Sequence, residues 1–153
     1  MIYTTIGEEM AHTIKKDVFE IFNEFSKQTT KKGRLEVLNT YSKVPALTDI
    51  LRGTFDDALQ FTLPEGTPPY TPNKPESTPS NLLREHKKFG YFVKGGPGDR
   101  LNKIKRETMF IRLLESIHPQ DAELVLAMVA KKSPVKFLTK KLVQEAFPNL
   151  IKT

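Results

Sequence analysis

RLNKIKRETMFIRLLESIHPQDAELVLAMV, residues 100–129, decides the fold class. Its apolar residues Leu101, Ile104, Met109, Ile111, Leu113, Leu114 and Ile117 recur at helical intervals and thicken toward the C-terminal end, so that end is expected to be the better buried. Asp99 reads as the N-cap of this helix. His118-Pro119 breaks the pattern, because proline suits a first helical position and biases the residue before it toward extended backbone. Asp121 and Glu123 then fall in the first turn of a second helix, where carboxylates suit the positive end of the helix dipole, and Leu124, Val125, Leu126 and Met128 form its buried side.

The same period extends outward in both directions. Ile14, Val18, Ile21, Phe22 and Phe25 share one face of a helix expected near residues 7–29. Leu35, Leu38 and Tyr41 step by three through the next segment. Pro45 opens a helix with Leu47, Ile50, Leu51 and Phe55 on one face, and Asp56 or Asp57 is expected to cap its end or the start of the next helix. Ser80 is read as the N-cap of NLLREHKKFGYFV, and Thr139 as the cap of a last short helix, KKLVQEAF, closed by Pro148. Strand signals are confined to FVK and VKF, which are too short to carry a sheet. The expectation is an all-α bundle of six or seven short helices.

Proline divides this bundle. Six prolines fall in LPEGTPPYTPNKPESTP, residues 63–79, and no helix or central strand can run through such a segment. It is expected to be an extended connector near 62–79, held to the surface by Leu63 and Tyr70. It separates N-terminal helices (1–61) from a C-terminal section (80–153) within one domain. Charge divides the chain at the same place. Residues 1–80 carry a net −2 and residues 81–153 a net +8, which together make the +6 of the whole chain. A one-sided excess points to an anionic partner.

Composition limits the chemistry. With no cysteine among 153 residues, disulfides, thiolate nucleophiles and Cys-type metal sites are excluded. The histidines, at 12, 86 and 118, form neither a triad nor an i, i+4 metal pair, and no carboxylate orienter is evident for His86. No cofactor, metal site or catalytic group is therefore assigned. No apolar run approaches the ~18 residues of a membrane span, and the acidic N-terminal MIYTTIGEEM is unlike a targeting leader. A membrane partner is not expected.

What remains is binding. The cations of residues 84–106 interleave with Phe89, Tyr91 and Phe92, a mixture that can hold phosphates and stack bases. Arg84, Lys87, Lys88, Arg100, Lys103 and Arg106 are the candidate nucleic-acid contacts, to DNA or RNA, and the tail run Lys131, Lys132, Lys136, Lys140 and Lys141 adds to the field. The aromatics are expected in the core. KGGPGD, 94–99, resembles a phosphate-cradling turn but lacks the Walker pattern, and Asp99 places a carboxylate where a phosphate would sit.

Four strings carry a resemblance: ALTDILRGTFDDALQFTLPEGTPPY (46–70), TPSNLLREHKKF (78–89), KRETMFIRLLESIHPQDAELVLAMVAKK (105–132) and FLTKKLVQEAFPNLI (137–151). Together they resemble a family of small proteins of unknown function from T4-like tailed bacteriophages, mainly of marine and aquatic hosts. The resemblance runs from about residue 40 to the C-terminus and implies no catalytic residue. It implies an accessory protein acting in the cytoplasm of the infected bacterium or carried in the virion. Its partner would be nucleic acid or, alternatively, a host or phage protein, with a minor virion or assembly role as a third expectation. Neither the residues nor the resemblance assigns an oligomeric state.

Overall fold

A computed structural model describes residues 16–151. Residues 7–15 of the first expected helix lie outside that range. Its described part is α1 (Val18–Ser26), preceded by Asp17, whose backbone N–H donates to Glu20 Oε1 at 3.1 Å. Next come α2 (Lys31–Thr40), capped by Thr30, and α3 (Pro45–Phe55), with Pro45 at its first position. Beyond the proline-rich segment lie α4 (Leu82–Glu85), α5 (Lys103–Ser116), α6 (Pro119–Val129) and α7 (Lys140–Ala146). Seven α-helices and no sheet among the described residues make the fold all-α. One isolated antiparallel bridge, Phe61 to Val93, is what becomes of the FVK signal.

Two helix starts differ in detail from the sequence reading. Asn102, not Asp99, caps α5 by accepting from the Lys105 N–H, because residues 97–100 form a separate 3-10 turn. Asn81, not Ser80, caps α4 through the Arg84 N–H. The Ser80 hydroxyl instead donates to Glu85 Oε1. Four residues into α4 the chain tightens into a 3-10 helix, His86–Phe92. Its buried residues, His86, Phe89 and Phe92, are three apart, which matches three residues per turn. Thr139 caps α7 and His118 Nδ1 caps α6, as their positions suggest.

One apolar core joins all seven helices. α3 packs on α6, α1 on α2 and α6, α5 on α6, and α7 on α2. Phe22, Phe25, Leu38, Leu47, Leu51, Phe92, Leu114 and Met128 are almost fully removed from water. Ile104, near the start of α5, is 76% exposed, whereas Leu114 and Ile117 at its end are completely buried, matching the expected gradient. Phe89 and Phe92 are core residues, with Phe92 edge-on to Phe110 at 5.3 Å.

The proline-rich segment runs over this core as a strap. Leu63 and Tyr70 are half-buried against it, and Thr71 N and Asn73 Nδ2 donate to the side chain and carbonyl of Glu115 at the end of α5. Its ends are pinned by main-chain bonds, Thr62 N to Phe92 O and Ser80 N to Ser116 O. Proline removes donors, so polar side chains and the flanking residues supply the attachments.

One polar contact inside the bundle is unusual. Asp121, fully buried on α6, accepts the Phe19 N–H at 2.9 Å through Oδ1. It satisfies an open donor in the first turn of α1 from a different helix. Beside it, the Phe19 ring stacks on His118 with centroids 4.0 Å apart. Burial first, then the charges of Asp17 and Glu20, push the Asp121 carboxyl up to about 7, against the lowering effect of the Phe19 bond.

Candidate nucleic-acid interface

The six candidate cations divide by what their side chains touch. Lys88 lies one 3-10 turn after Glu85 and pairs with it at 2.7 Å. Burial works to raise the Glu85 carboxyl, but the Lys88 ammonium, the Ser80 hydroxyl and the Arg84 charge outweigh it and hold the group below its ordinary value. Arg106 turns inward. Its guanidinium donates to the carbonyls of Thr62 (3.2 Å), Gly98 (3.2 Å) and Leu101 (3.3 Å), tying the strap and the glycine turn to α5. Arg84, Lys87, Arg100 and Lys103 are exposed, and none makes a hydrogen bond or close ion pair from its side chain among the described residues.

The tail run is likewise partly committed. Lys131, held at φ +59°, donates to the carbonyls of Gly53 (2.6 Å) and Asp56 (2.9 Å), where the carbonyls of α3 run out. Burial lowers its pKa, and Asp56 and Asp57 work against that. Lys140 pairs with Asp57 at 3.0 Å. Asp56 ends α3 as expected, with Oδ1 accepting the Ala58 N–H. The free positive field is therefore narrower than the sequence count implies.

The glycine turn is closed on itself. Asp99 Oδ2 accepts the Gly95 N–H at 2.7 Å, and Gly96 N bonds to Val93 O at 3.0 Å. A Cβ at Gly96 or Gly98 would run into the main chain at Gly90 or Tyr91, so both glycines let two stretches of backbone touch. These two N–H groups are thus occupied. The turn serves instead as one wall of a cleft of about 500 Å³.

That cleft gathers elements far apart in sequence. α3 contributes Asp49, Arg52 and Gly53; the 3-10 helix contributes His86, Lys87 and Phe89; Phe61, Lys94 and Met128 complete it with the glycine turn. Apolar side chains line much of it, while Arg52, Lys87 and Lys94 are exposed cations without a hydrogen bond or ion pair from their side chains among the described residues. His86 Nδ1 lies 2.6 Å from Asp49 Oδ2. The sequence reading missed this pair because its members are 37 residues apart. His86 sits on the buried face of its 3-10 helix, but Asp49 lies off the apolar face of α3, so periodicity does not join them.

A second feature also escaped the sequence. Phe137 is 55% exposed at φ +69°, with the Arg34 guanidinium 4.1 Å from its ring centroid and Lys136 Nζ at 5.2 Å. The Ser133 hydroxyl, within bonding distance of the Val135 and Leu138 carbonyls, braces the loop that presents it.

No described helix is long and apolar enough to cross a membrane. Among comparisons with known proteins, a family model described as "Family of unknown function (DUF6433)" matches residues 21–134. No curated protein matches the chain.

Proposed function

Because this chain belongs to the DUF6433 family of unknown function, we propose from its own surface that it is a non-enzymatic nucleic-acid-binding protein. The observation that carries the reading is the set of exposed, unpaired cations, Arg84, Lys87, Arg100 and Lys103, on consecutive elements; of these Lys87 also lines the cleft, which adds Arg52 and Lys94. Such cations gain by displacing counterions from phosphates, a sequence-independent attraction. Lys88 and Arg106 contribute to the field through their charge while serving Glu85 and the strap. The family-like strings of the sequence support a phage origin, and with it action in the cytoplasm of an infected bacterium or in the particle.

The test is fluorescence anisotropy with single-stranded and duplex DNA and RNA at about 50 and 200 mM salt. Binding at low salt that weakens steeply with added salt is expected, and the variant R84E/R100E/K103E should bind at least about tenfold more weakly with unchanged helicity. Absence of binding at low salt removes the reading. A second reading, a protein-binding adaptor, is favoured by an apolar groove of about 420 Å³ between the strap and α5, lined by Leu63, Pro64, Pro68, Phe110 and Ile111. Reproducible capture of one host or phage protein from infected cells, lost on substitution of Ile111, is its expected signature.

A further inference from the structure

The cleft beside the glycine turn has a composition that selects its occupant. Its rim carries Arg52, Lys87 and Lys94, whose side chains lack a partner among the described residues, so an anionic group is favoured there. Of its apolar lining, Phe89 and Met128 are core residues with little exposed surface, so half-buried Phe61 is the face open to a flat, weakly polar body. Both on one ligand describe a nucleotide. At about 500 Å³ the cleft falls within the range of small-ligand sites.

His86 adds a directional contact. The Asp49 carboxylate is an acceptor, so the proton in the 2.6 Å contact sits on His86 Nδ1. This fixes the ring and leaves Nε2 as the group offered to a ligand. No other polar contact to Nε2 exists among the described residues, and it is not among the buried atoms lacking a partner, so it retains access to solvent.

We infer that this cleft binds a single nucleotide of an unstacked strand, with the base against Phe61 and the phosphate at Lys87 and Lys94. His86 Nε2 hydrogen-bonds a sugar hydroxyl or a polar edge of the base. The inference rests on the nucleic-acid reading and sharpens it, from a charged surface to a pocket that takes one unpaired residue. Base-on-aromatic stacking accounts for a preference for single strands over duplex.

The experiment titrates the whole protein with adenosine 5′-monophosphate, adenosine, inorganic phosphate and a single-stranded hexanucleotide, followed by ¹H–¹⁵N NMR and the His86 ring resonance. The nucleotide should shift the amides of Gly90, Gly95 and Gly96 and the His86 ring, and bind more tightly than adenosine or phosphate alone. K87E/K94E, at two exposed positions, should weaken it about tenfold or more. K43E/K74E, at exposed positions outside the cleft lining and outside the candidate contacts, should leave it unchanged. No cleft shifts at millimolar nucleotide, or phosphate alone reproducing the full pattern, overturns the inference. A hexanucleotide that binds while moving only resonances near Arg84, Arg100 and Lys103 overturns the cleft site and leaves the surface reading standing.

Discussion

Asp121 shows how one residue can set the acid–base behaviour of the fold. Its carboxyl, at about 7 in the folded chain against 3.8 when unperturbed, is easier to protonate folded than unfolded. A raised folded value adds stability that is fully present below the unfolded value and disappears as pH rises through the folded one. The window therefore runs from about pH 4 to about pH 7. An asparagine at this position could still accept from Phe19 but would carry no charge. Asp121→Asn should gain stability relative to the parent protein on passing from pH 4 to pH 8, by on the order of 3 kcal/mol. Urea denaturation at the two pH values measures it, and parallel stabilities contradict it. Lys131 is the second test at this scale. Replacing it with Met leaves the Gly53 carbonyl without its donor and the Asp56 carbonyl with only the Leu59 N–H, and should cost about 1–3 kcal/mol. A loss near zero would show that water serves those carbonyls equally well.

At the scale of elements, α5 is graded from end to end. Ile104 makes little use of burial, so Ile104→Glu should change stability by no more than about 0.5 kcal/mol. Leu114→Ala, toward the other end of the helix, should cost about 2–5 kcal/mol by opening a cavity under α6. Equal effects would contradict the gradient. That gradient was legible in the sequence because it depends on local periodicity, as were Pro45, Pro119 and Thr139 as helix starters. The caps of α4 and α5 were misplaced by one residue and by three. In both places two polar residues compete for the role, and tertiary contacts decide between them: Ser80 is drawn to Glu85, and Asp99 to Gly95. The 3-10 segment was legible in retrospect, since 86, 89 and 92 keep strict three-residue spacing.

Over the whole molecule, sequence found where positive charge is concentrated but not which charges are free. Arg106 and Lys131 look like any other cations in the string. Only the fold shows their side chains donating to backbone carbonyls. The converse holds for Asp49, Arg52 and Phe137, which lie outside the basic stretch and reach the surface beside it or near another cation only through packing. The site is built from long-range contacts, so periodicity and composition stop short of it.

In the proposed function, Arg84, Arg100 and Lys103 meet phosphates. The salt dependence of binding counts such contacts, since the slope of log affinity against log salt scales at about 0.7 per phosphate neutralised on a single strand. R84E/R100E/K103E should flatten that slope by about 2 for a single-stranded oligonucleotide. An unchanged slope and affinity, with the variant folded, would contradict it.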